Sequence, residues 1–150
     1  MPALDGAQFI QDQLVAYGVL PEGQIFKGPP RPALEVNVRE CVFINDQGGL
    51  PSMPYLCSEG TLTTNYFDVW VRSARVDEGR ARCLSVRDAL QLYSDVENGL
   101  VSIFFVQGPV YNGRDGEDTH NWRCSFKTVL YETKDAPEGL ELPLESEILG

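Results

Sequence analysis

Two stretches of the chain repeat apolar residues at steps of three and four, which is the period of an amphipathic helix. The first predicts a helix over residues 5–17, where Asp5 can cap the start and Gly18 can end it. The second predicts a helix over residues 76–93. The apolar stripes are Leu4, Ala7, Ile10, Leu14 and Tyr17 in the first helix, and Cys83, Val86, Leu90 and Tyr93 in the second.

Other stretches show the period of two, or the unbroken apolar run, that is typical of β-strands. The clearest is the stretch 61–72, where Phe67 and Val69 fall on one face and Tyr66 and Trp70 on the other. The predicted strands are residues 38–45, 61–72, 100–106 and 122–131, with Ile25 and Phe26 as a short edge strand.

The segments between these elements are rich in glycine, proline and other turn residues. Residues 21–32, 46–54 and 108–118 are therefore predicted to be loops or turns. Because most strands follow one another directly, we expect an antiparallel sheet. The sequence thus predicts one α+β domain over residues 1–131, a mainly antiparallel sheet with two helices packed on it, and an extended acidic arm at 132–150. Whether the helices share one face of the sheet stays open.

Composition narrows the classes of function. The chain has 150 residues, a formal net charge of −10 and 43% apolar residues, which fits one globular domain with its own core. The acidic balance disfavours binding to nucleic-acid phosphates and to anionic membranes. The N-terminus lacks the pattern of a signal peptide, and no run reaches the roughly 18 apolar residues of a membrane span. We therefore expect folding in a cytoplasm.

The cysteines offer little chemistry by their spacing. No two of the four cysteines are close together in the sequence, so they are predicted to be free thiols in a reducing compartment. They are Cys41, Cys57, Cys83 and Cys124. We expect Cys41, Cys83 and Cys124 to behave as small core residues. His120 is the only histidine, so a zinc site lacks ligands, and no cofactor is predicted.

The other candidate sites for chemistry are weak. The strongest enzyme-like combination is Cys57 with His120, and nothing in the sequence brings the two together. The acidic run with Asp115, Glu117 and Asp118 is too short for a calcium loop and fits a hairpin tip between strands. We therefore predict a protein that assembles with other chains, not an enzyme.

Apolar and aromatic residues supply candidate interfaces. The run at 100–106 is apolar on both faces, which predicts that the core or a partner chain covers each of them. Trp70 and Tyr66 could stack on RNA bases, but in an acidic chain they are more typical of a core or an interface. The predicted interface residues are Tyr66, Trp70, Val101, Ile103, Phe104 and Phe105.

Five segments follow one another in a recognisable order after the first helix. They are the loop Gly-Gly-Leu-Pro at 48–51, the strand Phe-Asp-Val-Trp-Val-Arg at 67–72, the helix end at 86–90, the turn Gly-Pro-Val-Tyr-Asn-Gly-Arg-Asp at 108–115 and the strand Trp-Arg-Cys-Ser-Phe at 122–126. Together with the helix they resemble the phage minor capsid and tail-terminator families of head–tail junction proteins. The resemblance covers residues 4–131, and the proline-rich loop and acidic arm depart from it.

This resemblance implies a structural virion protein of the head–tail junction, assembled in the host cytoplasm. Such a protein caps the finished tail tube as a ring, usually a hexamer. The implied partners are further copies of the chain, a tail tube protein and a neck or head-completion protein, with no membrane and no cofactor. DNA is expected to pass through the ring without specific binding. Asp115, Glu117 and Asp118 are predicted to face this channel, because their charge repels phosphate.

Two other readings stay open at this point. The chain could be another head–tail connector or a head-completion protein, or it could be a non-viral cytoplasmic binding module. Rings or tubes in electron micrographs would favour a virion component, and compact monomers would favour a binding module.

Overall fold

The fold is described by a computed structural model over residues 4–31, 40–54, 60–114 and 119–133. Its elements are α1 (Gly6–Tyr17), β1 (Ile25–Lys27), β2 (Cys41–Pro54), β3 (Gly60–Ser73), α2 (Val76–Leu90), β4 (Leu100–Arg114) and β5 (His120–Thr133). β5 continues through the first two residues of the predicted arm, and residues 134–150 lie outside the described part.

The strands form one five-stranded sheet in the order β1-β2-β3-β5-β4. β1 runs parallel to β2, and the other three neighbouring pairs are antiparallel. β3 and β5 pair without interruption from Gly60↔Thr133 to Ser73↔His120. The predicted α+β fold with a mainly antiparallel sheet is confirmed, and the short strand at Ile25 and Phe26 does lie at an edge.

Local chemistry sets the ends of the helices. The Asp5 side chain accepts a hydrogen bond from the Ala7 N–H at 3.0 Å, which caps the start of α1. Gly18 adopts a φ of 86° and closes the other end, as the sequence predicts. α2 ends at Leu90, three residues before the predicted Tyr93. Leu92 takes a positive φ of 62° and donates its N–H to the Ile103 carbonyl instead.

Both helices pack on the same face of the sheet, which answers the question that the sequence left open. The Gln13 side chain of α1 donates a hydrogen bond to the Ala89 carbonyl of α2 at 3.1 Å. α2 also approaches the sheet closely at Gly79, where a Cβ atom would lie 2.8 Å from the Trp122 ring. The helices and this face enclose the core, which contains Ile10, Leu14, Val42, Ile44, Phe67, Val69, Val71, Cys83, Val86, Leu90, Leu100, Ile103, Cys124, Phe126 and Leu130.

The predicted loop at 46–54 is wrong, because β2 continues to Pro54. The turn residues are absorbed as irregularities in the strand, with register shifts between Asp46 and Gly49 and between Leu50 and Met53. Gly48 supplies the positive φ of 87°, and its N–H donates to the Asp46 carboxylate at 2.7 Å.

The predicted turn at 108–118 is also wrong over most of its length, because β4 runs to Arg114. Gly108 and Pro109 lie inside this strand, where register shifts interrupt its pairing with β5. Proline lacks an N–H, so an edge strand is where a sheet tolerates it. The proposed hairpin tip at 115–118 lies outside the described residues.

Candidate assembly surface

Among the strand residues whose burial is described, the exposed large apolar side chains lie on β4. Near the start of β4 its outer edge is covered, since Leu92 and Tyr93 exchange backbone hydrogen bonds with Ile103. Beyond Ile103, no further strand pairs with this edge among the residues that the structure describes. The side chains of Phe104 and Val106 there are 36% and 50% exposed. An exposed edge of this kind is a template for pairing with another chain.

The predicted interface residues divide between the two faces of the sheet. Tyr66, Trp70 and Phe104 lie on the face opposite the helices, as their pairing with Lys127 and Arg123 of β5 requires. Val101 is exposed on β4.

Ile103 and Phe105 lie on the face of the sheet that carries the helices, so the core covers this side of the run 100–106. Ile103 is fully buried in the core, and the Phe105 ring packs edge-on against the core residue Phe126 at 5.8 Å. Alternation in β4 turns these two side chains towards the core and Phe104 towards the other face.

A charged group lies at the centre of the helix-free face. Asp68 is nearly buried and accepts a hydrogen bond from the Ser125 hydroxyl at 2.7 Å. Arg123 lies 3.6 Å from the same carboxylate, and its guanidinium carbon lies 5.9 Å from the centre of the Trp70 ring. Trp70 Nε1 and Arg123 Nε are buried without a hydrogen-bond partner in the described part of the chain. Such groups favour an additional acceptor at this surface.

The β1 side of the same face carries a stack of aromatic rings and guanidinium groups. Phe26 and Phe43 stack with their centres 5.5 Å apart. Arg31 lies over Phe26 at 5.2 Å, and Arg72 lies over Phe43 at 5.1 Å. Arginine over an aromatic ring is a common element of protein interfaces. This end of the face therefore differs chemically from the apolar edge at β4.

Glu40 links the start of β2 to the end of β3 and to α2. Its carboxylate accepts hydrogen bonds from Arg82 at 2.7 Å, the Ser73 hydroxyl at 2.8 Å and the Ala74 N–H at 2.7 Å. Partial burial raises the pKa of Glu40, but these three hydrogen bonds outweigh it and hold the pKa below the ordinary 4.5. This junction was not predicted from the sequence, because its members are far apart along the chain.

The described geometry does not test the catalytic candidate Cys57 with His120, because it includes only His120. His120 Nδ1 lies 2.8 Å from the Tyr111 hydroxyl, and the Tyr111 ring in turn contacts Trp122. Cys57, the proposed nucleophile, lies outside the described residues. The same holds for Asp115, Glu117 and Asp118, the predicted channel residues, which follow directly on the end of β4.

Within the described ranges, acidic, cysteine and histidine side chains form no cluster of three or more that could hold a metal ion. Neither helix in those ranges is long and apolar enough to cross a membrane.

The prediction that Cys41, Cys83 and Cys124 are buried is confirmed. Burial raises the pKa of the Cys41 thiol to about 11. The sequence did not indicate that Cys83 and Cys124 meet, with their sulfur atoms 2.8 Å apart.

The chain thus belongs to the class of α+β proteins with a five-stranded, mostly antiparallel sheet and both helices on one face. No protein-family model matches the sequence, and a comparison with curated proteins gave no match. Among solved structures, the chain is similar to a chain of the virion of a native gene transfer agent (GTA) particle. The TM-score is 0.55 at 18% identity, over 82% of this chain and 92% of that chain. At this identity the similarity concerns the fold.

Proposed function

We propose that this protein is a structural component of a phage-like virion, and specifically a tail terminator that caps the tail tube as a ring and joins it to the head. The observation that carries the proposal is the shared fold with a gene transfer agent virion chain. Because 92% of that chain is covered, the similarity spans nearly a whole virion subunit and not a fragment of one. The ordered segments that resemble tail-terminator families point in the same direction.

The surface chemistry supports assembly into a ring. Copies related by rotation meet through two different patches, because each copy contacts one neighbour on each side. The apolar edge at Phe104 and Val106 provides one patch, and the aromatic–arginine stack with Phe26 and Phe43 provides a second. The two patches lie at opposite edges of the sheet, which suits contacts around a ring, and we propose six copies.

The charge of the chain supports a channel for DNA. A formal net charge of −10 disfavours the phosphate contacts that would hold a passing duplex. We propose that Asp115, Glu117 and Asp118, next to the end of β4, face the lumen. The tail tube protein and a neck or head-completion protein then contact the two rims of the ring.

Deletion of the gene combined with electron microscopy tests this function. We expect particles from the producing host to contain the protein at the head-proximal end of the tail, in several copies around the axis. Deletion should leave filled heads and separate tails that fail to join. Heads that lose their DNA would instead identify a head-completion protein, and absence of the protein from purified particles would contradict a virion role altogether.

A cryo-EM map of the same particles tests the lumen assignment separately. A ring with residues 115–118 on its outer rim would refute that assignment and leave the ring standing.

A further inference from the structure

Cys83 and Cys124 form a pair of thiols at the centre of the molecule. Cys83 belongs to α2 and Cys124 to β5, 41 residues further along the chain, and their sulfur atoms lie 2.8 Å apart. Both side chains are fully buried. The Cys124 thiol also lies 3.6 Å from the Cys83 carbonyl oxygen, to which it donates a hydrogen bond. The sulfur of Cys124 is therefore oriented towards the helix backbone.

The backbones that carry the two thiols are held close together. One turn before Cys83, Gly79 lets α2 approach the Trp122 ring, and the indole Nε1–H of Trp122 donates to the Val76 carbonyl at 3.1 Å. On the other side, a Cβ atom at Gly108 would meet the Cys124 backbone at 2.9 Å. A disulfide needs a sulfur separation of about 2.05 Å, so the two sulfur atoms must move by less than about 1 Å.

We propose that Cys83 and Cys124 are a modification site that closes to an intramolecular disulfide, with hydrogen peroxide as the oxidant. The thiolate of one cysteine attacks a peroxide oxygen, the O–O bond breaks, and a sulfenic acid and one water form after uptake of a proton. The second thiol then attacks the sulfenic sulfur and releases a second water as the S–S bond forms. Overall, two thiols and one peroxide give one disulfide and two waters, and the two electrons lost by sulfur reduce the peroxide.

The environment of the pair sets its rate and its selectivity. The hydrogen bond with Cys124 and burial both raise the pKa of the Cys83 thiol, which lowers the thiolate fraction. The raised pKa slows the reaction, and burial favours a small oxidant over a bulky disulfide. Cys41 is also buried, but it pairs with Arg72 on the opposite face of the sheet. The sheet separates Cys41 from the pair.

The proposed virion function also implies when the disulfide forms, and this step rests on that function. A particle is assembled in a reducing cytoplasm and then released into an oxidising medium. The disulfide then fixes α2 to the sheet only after assembly is complete. The chemistry of the pair itself does not depend on that function, because it is tested on the purified chain.

Peroxide treatment of the purified, reduced chain tests the proposal. Trypsin cuts after Arg82, Arg87, Arg123 and Lys127, so the cross-link joins the peptides 83–87 and 124–127. We expect mass spectrometry to find this joined peptide in most chains after a few hours, and a reducing agent to separate it again. The melting temperature of the oxidised chain should rise by roughly 10 °C, because the cross-link restricts the unfolded state.

A Cys41→Ala, Cys57→Ala double variant is the matched control and should give the same cross-link. A Cys83→Ala variant should give no intramolecular cross-link and no rise in melting temperature. Recovery of the two peptides as separate alkylated or sulfinic species would overturn the proposal. A dominant cross-link through Cys57, or between two chains, would overturn it as well.

Discussion

Replacing Phe104 by glutamate and Val106 by lysine is expected to abolish assembly and to leave the fold intact. Both side chains are exposed on β4, beyond the point where its outer edge is covered, so neither contributes to the core. The pair leaves the formal net charge at −10. At Phe104 the new carboxylate faces Lys127, whose ammonium now lies 5.1 Å from the ring centre, and can pair with it.

The expected loss of incorporation into particles is large, because charges at the centre of an interface must be desolvated. We expect incorporation into particles to fall by at least about 100-fold, equivalent to roughly 2.8 kcal/mol of binding free energy. Quantitative immunoblots of purified particles measure this, with the variant supplied to a host that lacks the natural gene. The melting temperature of the isolated chain should change by no more than about 2 °C, in keeping with exposed positions.

A control variant separates the role of β4 from that of apolar exposure in general. Val15→Glu with Val96→Lys changes two exposed valines outside β4, at 38% and 73% exposure, and also leaves the net charge unchanged. This variant should incorporate normally. Normal incorporation of the β4 variant, or equal loss in both, would contradict an interface at this edge.

Replacing Glu40 by glutamine is expected to destabilise the fold by about 2 kcal/mol at neutral pH. Charged hydrogen bonds contribute roughly 1.5–3 kcal/mol each, and Glu40 accepts three hydrogen bonds, one of them from Arg82. We expect less than their sum because the side chain is 30% exposed and water competes for it. Chemical denaturation at pH 7 measures the difference in unfolding free energy.

The loss of stability in the Glu40→Gln variant should depend on pH, and the direction follows from the pKa of Glu40. The pKa of Glu40 is lower in the folded chain than the ordinary 4.5, so the folded state favours the ionised carboxylate. Its contribution is complete above about pH 5 and is lost as pH falls through the folded pKa. The difference in unfolding free energy between the natural chain and the variant should therefore disappear in acid.

Glu78→Gln serves as the control for this experiment. Glu78 is an exposed acid of α2 whose carboxylate lies 3.5 Å from Arg75, and its loss should cost less than about 0.5 kcal/mol. If the difference in unfolding free energy between the natural chain and Glu40→Gln stays the same in acid, the shape of the side chain, and not its charge, explains the effect.

The sequence predicts the regular elements well where local periodicity decides them. α1 needs only one apolar stripe and two good caps, and Asp5 and Gly18 supply both. Core-facing and outward-facing residues alternate along β3 and β5, so the two faces of these strands are assigned correctly. The misassigned stretches at 46–54 and 108–114 contain residues that usually mark turns, yet the strands absorb them through bulges. Local composition cannot distinguish a bulge from a turn, because pairing with a distant strand decides between them.

The candidate surface is only partly predictable for a similar reason. An apolar run such as 100–106 is compatible with a central or an edge strand, and only the strand order turns Ile103 inward and leaves Phe104 exposed. The Glu40 junction spans 42 residues to Arg82, and the thiol pair spans 41. Contacts at such separations leave no trace in local periodicity, since they depend on how whole elements are stacked.

The unbroken register between β3 and β5 divides the sheet into a rigid centre and adaptable margins. All fourteen residues of β3 are matched in sequence to β5, whereas β2 and β4 both contain register shifts. Amide protons along the central ribbon are therefore expected to exchange with solvent only when the whole molecule unfolds. The bulged outer strands can bend to fit neighbours of different shape without disturbing that ribbon. In the proposed ring, such a subunit can adjust its margins at each contact while its centre keeps one shape.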